Sequence, residues 1–185
     1  MQPEFKRALL FKGIWYGQIG METDMSIAET KTGLAELIER GGIHRDVQGT
    51  TLREVLAALT TLIPTISAVP ADKLLWAVLE REALMSTSIG RGIALPHPRN
   101  PLITRDSDQF TALAFLKHPV DWNSLDGEKV DTLLLIISAS AKQHLHTLSE
   151  INFFCRREEF YRLLKERAEQ KDILNFIRET EKTWR

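Results

Sequence analysis

Residues 130–138 read VDTLLLIIS, and this stretch decides the fold class. Its continuous apolar run is bounded by polar residues, as in a strand that helices cover on both faces. Further extended stretches are predicted at 43–47, 92–95 and 110–116. Such strands, with helical segments before and after them, indicate an α/β fold in which helices flank a central sheet.

Helical periodicity on both sides of the strand region supports this architecture. Thr51 and Glu54 have the spacing of a capping box, and Pro70 suits the first turn of a helix. Gly41 and Gly42 follow a short apolar stripe, a place where helices often end. One predicted helix therefore ends at these glycines, a second follows Thr51 and a third follows Pro70. Three more are predicted at 142–155, 158–167 and 171–180.

The length of 185 residues favours a single compact domain. Residues 1–28 have no clean period and mix aromatic residues with glycines, so we expect an irregular leader or the remnant of a linker there. Residues 29–185 carry the periodic patterns and are predicted to form the folded domain. Charged residues make up 26% of the chain, which excludes intrinsic disorder as its main state.

Charge and composition also exclude whole classes of function. The formal net charge is -1, whereas a dedicated nucleic-acid-binding protein carries a basic excess. No run of about 18 apolar residues is present, so we expect no membrane insertion. The single cysteine, Cys155, cannot form an intramolecular disulfide, which indicates a reducing compartment. We therefore expect a cytoplasmic protein.

His97 has the most constrained backbone among the five histidines. Pro96 fixes its own φ and Pro98 restricts His97 to extended angles, so the imidazole is held stiffly after a predicted strand. A side chain fixed in this way suits catalysis. The alternative is a proline-rich turn that only happens to contain a histidine. We expect His44 and His118 to be ordinary surface residues.

A second histidine cluster, His144 and His146, falls on a predicted helix. Residues two apart on a helix do not share a face, and no further zinc-ligand spacing is visible, so a metal site is not expected. Instead, one of the two should face a site. Cys155 is predicted to be a buried apolar residue, and Trp76 and Trp122 to be packing residues. No P-loop pattern is present, so direct use of ATP is not expected.

Three blocks of sequence carry a family resemblance. They are Arg81-Glu82 followed by MSTSIG at 85–90, then GIALPH at 92–97, and HLHTLS at 144–149. In order and separation they resemble the enzyme IIA domain of the phosphoenolpyruvate-dependent sugar phosphotransferase system, of the mannitol/fructose class that includes nitrogen-regulatory paralogues. The resemblance covers about residues 30–180. It implies a mixed β-sheet flanked by helices and a phosphotransferase that needs no cofactor.

The resemblance also implies a site. His97 would be phosphorylated by a histidine-containing phosphocarrier protein, with His144 facing it and Arg81 close to the same pocket. Arginine suits phosphate because its charge is permanent and its N–H groups form a fork. We expect Ser86 and Thr87 to donate hydroxyl hydrogen bonds to the phosphoryl group. Taken singly, Arg81 reads as a solvated helix-end charge, and the two hydroxyl residues read as loop polar groups.

The chain departs from the family pattern in two places. The sequence MSTS at 85–88 replaces the common Gly-Ser-Thr-Gly, and Pro98 replaces the glycine that commonly follows the active histidine. Because proline has no N–H, position 98 cannot donate a backbone hydrogen bond to phosphate. We expect Arg99, or the amides beyond it, to compensate.

The carrier must also dock against the site. Loops that hold Met85, Ile89 and Leu102 are expected to supply a shallow, partly apolar surface for it. Arg91 and Arg99 are expected at the rim, where two cations would offset the arriving negative charge.

Two functions remain open from the sequence. In the first, the protein accepts phosphate on His97 and passes it to a downstream partner such as a sugar permease domain. In the second, it is a non-transferring regulatory module. Its phosphorylation state would then gate contact with a transporter, a kinase or a transcription factor.

Overall fold

The computed structural model describes residues 32–63 and 69–184. The leader predicted at 1–28 lies outside the described residues. The strands within these ranges are β1 Ile43–Val47, β2 Ser88–Gly90, β3 Ile93–Ala94, β4 Phe110–Val120 and β5 Val130–Ile137. The helices there are α1 Leu34–Gly41, α2 Leu52–Leu62, α3 Ala71–Glu82, α4 Ala141–Cys155, α5 Glu158–Lys165 and α6 Gln170–Trp184.

The described strands form one mixed sheet in the order β1-β4-β5-β3-β2. At its centre β4 pairs antiparallel with β5. Strand β1 runs parallel to β4, and β3 runs parallel to β5. Strand β2 closes one edge through an antiparallel pairing with β3. The predicted α/β fold, with a central mixed sheet flanked by helices, is confirmed.

Strand β5 is buried on both faces, as its sequence predicts. Leu133, Leu135 and Ile137 pack into a core that also takes in side chains from α2 and α3. Leu134 and Ile136 point to the opposite core, which α1, α4, α5 and α6 complete. Burying each such side chain contributes about 1.5–3 kcal/mol relative to leaving it exposed. The stretch 130–137 therefore joins the two cores of the domain.

The ends of α1 and α2 follow local sequence signals. The Thr51 hydroxyl caps α2 by accepting the Glu54 N–H at 3.2 Å. The Glu54 carboxylate accepts the N–H and hydroxyl of Thr50, both at 2.8 Å, so it binds one residue before the position that a capping box uses. Helix α1 ends at Gly41, where a Cβ would lie 2.4 Å from the Thr111 carbonyl oxygen of β4. Only glycine permits that approach.

Strand β2 was not predicted from the sequence, and a tight turn joins it to β3. Gly90, Arg91 and Gly92 all have positive φ, at 85°, 57° and 74°. The turn lets a three-residue strand pair with a two-residue strand, and such short elements leave no periodic pattern. Strand β4 is also longer than the predicted 110–116.

The two tryptophans predicted to pack behave differently. Trp122 is fully buried, as predicted. Trp76 is 61% exposed on α3, so the prediction for it is wrong. The Arg53 guanidinium lies over its ring at 4.8 Å, a cation–π contact between α2 and α3. None of the helices in the described ranges is long and apolar enough to cross a membrane.

Candidate functional site

His97 leaves the sheet at the carboxyl end of β3. The backbone pairing continues past the strand, because the Leu95 N–H donates to the Thr87 carbonyl at 3.0 Å. On the other side, the Ile136 N–H of β5 donates to the Pro96 carbonyl at 3.0 Å. His97 therefore follows a segment that is bonded on both sides, in agreement with the stiffness expected from its flanking prolines.

His144 reaches the same sheet edge from β5. A short connection after β5 leads to Ser140, whose hydroxyl caps α4 by accepting the Gln143 N–H at 3.3 Å. His144 lies in the first turn that follows. Because β3 and β5 are parallel, their carboxyl ends meet at one edge, and the rings of His97 and His144 lie 4.6 Å apart between centroids.

Arg81, in the last turn of α3, completes the cluster. Its Nε–H donates to His97 Nε2 at 3.2 Å, and its Nη1–H donates to the Met85 carbonyl at 2.9 Å. The other ring nitrogen, His97 Nδ1, lies 2.7 Å from the Leu95 carbonyl oxygen. Since a carbonyl only accepts, we assign the proton to Nδ1 and the free lone pair to Nε2.

Burial keeps both rings neutral near pH 7. It lowers the pKa of His97, and the Arg81 charge acts in the same direction, while the Leu95 carbonyl and Glu82 raise it. The pKa of His144 falls to about 4, first through burial and then through the charges of His97 and Arg81. A neutral imidazole is the form that can act as a nucleophile.

Ser86 and Thr87 do not take the role expected of them. The Ser86 hydroxyl donates to the Trp122 carbonyl at 2.6 Å. The Thr87 hydroxyl donates to Glu82 Oε2 at 2.6 Å, and its N–H donates to Oε1 of the same carboxylate at 2.7 Å. Both hydroxyl protons are thus already engaged. In this structure the two residues hold the loop after α3 in place through these bonds. Their hydroxyl groups are not available to donate to a phosphoryl group on His97.

The two rim arginines differ from each other. Arg99 is exposed and lines a small cleft of about 80 Å³, next to Pro98 and His144. The Arg91 guanidinium instead donates to Glu158 at 2.9 Å and lies over the Tyr161 ring at 3.5 Å. The structure therefore does not support Arg91 as a free rim cation, because its charge is already paired with Glu158 of α5.

Several large apolar side chains are exposed in the segments that carry the site residues. Met85 is 69% exposed, and Ile89 is also exposed, as expected. Leu84 and Leu145 are also exposed, which the sequence analysis did not predict. The position of Leu145 between the two histidines of α4 was the available signal. Leu102 is partly buried against the core that contains α2 and α3, so it offers less apolar surface for docking than expected.

His146 points to another part of the molecule. Its Nε2 lies 3.5 Å from the buried carboxylate of Glu150, one turn further along α4. The two histidines of α4 therefore have separate surroundings, as the helical spacing predicts. Within 32–63 and 69–184, no group of three or more His, Cys, Asp and Glu side chains is placed to hold a metal ion.

Comparison with known proteins assigns the family. Residues 36–180 match the family described as "Phosphoenolpyruvate-dependent sugar phosphotransferase system, EIIA 2". The chain belongs to this family. The resemblance stated from the three sequence blocks is thus confirmed, and EIIA 2 proteins are the phosphocarriers of a phosphotransferase system, with members in sugar transport and in regulation.

Two relatives and one solved structure are similar to the chain. The nitrogen regulatory protein of Escherichia coli is 27% identical over 164 residues, which cover 86% of this chain and 98% of that protein. The fructose-specific EIIABC component of Bacillus subtilis is 27% identical over 155 residues, or 80% of this chain and 24% of that protein. Nitrogen regulatory protein IIA-Ntr from Neisseria meningitidis has the same fold, with a TM-score of 0.68 and 19% identity over 77% of this chain and 97% of that one.

Proposed function

We propose that the protein accepts a phosphoryl group on His97 from a phosphohistidine carrier protein. The observation that carries this proposal is the pair of hydrogen bonds on the imidazole. Nδ1–H is bound to the Leu95 carbonyl at 2.7 Å, and the Nε2 lone pair faces Arg81 Nε–H at 3.2 Å. The ring therefore presents a nucleophilic nitrogen beside a permanent positive charge.

The transfer step balances without a proton acceptor. Nε2 of His97 forms a bond to phosphorus while the phosphorus–nitrogen bond of the donor histidine breaks, and the donor ring keeps that electron pair. Nδ1 retains its proton, so the His97 ring gains positive charge, which the Leu95 carbonyl stabilises. The Arg81 N–H turns from Nε2 to the phosphoryl oxygens, where the charge of the transferring group is greatest.

His144 is assigned a supporting role. A neutral ring 4.6 Å away can aim one N–H at the phosphoryl group without adding a charge that would repel the cationic His97 ring. Arg99 is exposed and lines the small cleft next to His144, and we assign it the role of attracting the carrier. The carrier itself is proposed to dock on the exposed apolar side chains of these segments, which are Leu84, Met85, Ile89 and Leu145.

The regulatory form of this activity has more support than sugar transfer. The nitrogen regulatory protein of Pseudomonas aeruginosa is 31% identical to the chain over 121 residues, against 27% over 155 residues for the fructose-specific EIIABC component. We therefore propose that phosphorylation of His97 gates contact with a target protein, in the cytoplasm. A sugar permease domain is the alternative acceptor.

Intact mass tests the phosphorylation. Wild-type protein and His97→Ala are incubated with phosphoenolpyruvate and the general phosphotransfer proteins, with His118→Ala as a matched control because His118 is exposed on β4. Wild type and His118→Ala should each gain one acid-labile phosphoryl group, and His97→Ala none. A phosphoryl group on His97→Ala would overturn the proposal.

A second experiment separates the two acceptors. The isolated phosphoprotein is mixed with membranes that contain a fructose- or mannitol-type permease, and sugar phosphate is measured. A regulator should keep its phosphate beyond the time in which a known sugar-specific IIA protein loses it. Sugar phosphate formed at that protein's rate would contradict the regulatory form and support the permease alternative.

A further inference from the structure

Glu82 is a buried carboxylate beside the site. It is the last residue of α3 and is 8% exposed. Its two oxygens accept the N–H and the hydroxyl of Thr87, at 2.7 and 2.6 Å. A carboxylate removed from water needs such donors. The same bonds fix the backbone of Thr87 relative to α3.

From Thr87, two backbone hydrogen bonds lead to the imidazole. The Thr87 carbonyl accepts the Leu95 N–H at 3.0 Å. The Leu95 carbonyl in turn accepts His97 Nδ1–H at 2.7 Å. Glu82 is therefore joined to the far side of the His97 ring through two intervening residues.

The neighbouring residue approaches the ring from the opposite side. Arg81 donates to His97 Nε2 directly, and it also donates to the Met85 carbonyl, within the loop that Thr87 closes. The adjacent residues at the end of α3 thus determine the surroundings of both ring nitrogens. Arg81 acts by direct contact, and Glu82 acts through Thr87 and Leu95.

We propose that Glu82 is a positioning residue that holds His97 with Nδ1 protonated and Nε2 aimed at the phosphoryl donor. Its effect on transfer rests on the function proposed above. Its effect on the imidazole does not, since the hydrogen bonds are present in the unphosphorylated protein.

The charge of Glu82 gives it a second effect on the same ring. His97 becomes cationic when it is phosphorylated, and it is faced by the guanidinium of Arg81 from α3, by His144 from α4 and by the Leu95 carbonyl. Glu82 is the anion among the groups that influence its pKa, and it opposes the lowering by burial and by Arg81. Glu82 therefore favours the charged ring that the transfer step produces.

Nitrogen NMR of the unphosphorylated protein tests this proposal. Ring nitrogen shifts of His97 are measured against pH in wild type and in Glu82→Gln, with Glu80→Gln as the matched control, since Glu80 is an exposed carboxylate on the same helix. In Glu82→Gln the Nε2-protonated tautomer should gain population and the pKa of His97 should fall below its wild-type value. In Glu80→Gln both should stay at wild type.

A second variant keeps the test decisive if Glu82→Gln does not fold. Thr87→Val retains the size of the side chain and the charge of Glu82 but removes one of the two hydrogen bonds. Its tautomer population should shift in the same direction by less, and its pKa should change less. Wild-type tautomer and titration in the folded variants would overturn the proposal and leave Glu82 as a structural residue.

Rates of phosphorylation complete the test. Mutating a group that orients a functional histidine through a hydrogen bond typically lowers affinity or activity by about 10- to 100-fold, as for metal-bound histidines. We expect Glu82→Gln to slow transfer within that range and Glu82→Asp, which keeps the charge, to recover part of the rate. A shifted tautomer with an unchanged rate would overturn the effect on transfer. If wild type accepts no phosphate, the proposed function fails while the NMR result still stands.

Discussion

The ring of His144 lies 4.6 Å from the ring of His97 between centroids, with the two planes tilted by 48°. This contact joins residues that are far apart in the sequence, because each follows one of two parallel strands that end at the same sheet edge. Arg81 adds a fixed positive charge beside them. Burial is the main reason that both rings stay neutral near pH 7, and the Arg81 charge lowers their pKa values further.

The first prediction is that phosphate is attached to His97 at Nε2. The Leu95 carbonyl accepts from Nδ1 at 2.7 Å and leaves no room for a phosphoryl group there. Phosphorus and nitrogen NMR of the phosphoprotein distinguishes the two linkages, with free phosphohistidine isomers as standards. A phosphoryl group on Nδ1 would show that the ring turns before transfer and would contradict the assignment.

The second prediction concerns the two histidines of α4. His144→Ala should slow phosphorylation by about 100- to 1,000-fold, because losing one preorganised donor at a developing charge has that effect. His146→Gln is the matched control, since His146 lies 3.5 Å from Glu150 and apart from the site. His146→Gln should be phosphorylated at the wild-type rate, and any effect of this substitution should appear in the temperature of thermal unfolding. Equal rate defects in quench-flow measurements would remove the distinction.

The third prediction is a loss of stability in acid. An unfolded histidine takes up a proton near its ordinary pKa of 6.5, whereas folded His144 does so only at about 4. The unfolded state therefore binds more protons as the pH falls through this window, and the free energy of unfolding decreases. Urea unfolding of His144→Gln between pH 7 and 4 should show a smaller decrease than wild type. If the free energy of unfolding of His144→Gln changes with pH as steeply as that of wild type, the lowered pKa of His144 is contradicted.

The fourth prediction is that the Cys155 thiol is inert in the native protein. It is 6% exposed, and burial raises its pKa to about 12, so the reactive thiolate is scarce at pH 8. Iodoacetamide should modify it slowly in buffer and rapidly in denaturant, as followed by mass spectrometry. Rapid modification of the folded protein at pH 8 would contradict its place in the core.

Much of this fold is readable from local sequence. The run at 133–137 predicts a strand buried on both faces, and it packs into both cores. Pro70 and Thr51 predict the starts of α3 and α2, since capping depends on nearby residues. The spacing of Pro96, His97 and Pro98 likewise indicates a constrained backbone.

The remaining features depend on tertiary contacts that no local pattern encodes. Arg91 looks like a free loop cation until α5 brings Glu158, which is 67 positions away, to within 2.9 Å of it. The hydroxyl of Ser86 is equally ambiguous, because its acceptor is the carbonyl of Trp122 in a distant loop. Residue types indicate which groups can bind phosphate, but the packing decides which of them are already engaged.

The last prediction separates the two arginines. Arg99 is exposed beside the cleft at His144, so Arg99→Glu should slow phosphorylation by the carrier at low salt, and the defect should shrink at high salt as the charges are screened. Arg91→Gln is the control. Because the Arg91 guanidinium is bound to Glu158 and Tyr161, its loss should change unfolding and leave the rate near wild type. Quench-flow rates that match wild type in Arg99→Glu at low salt would exclude Arg99 from docking.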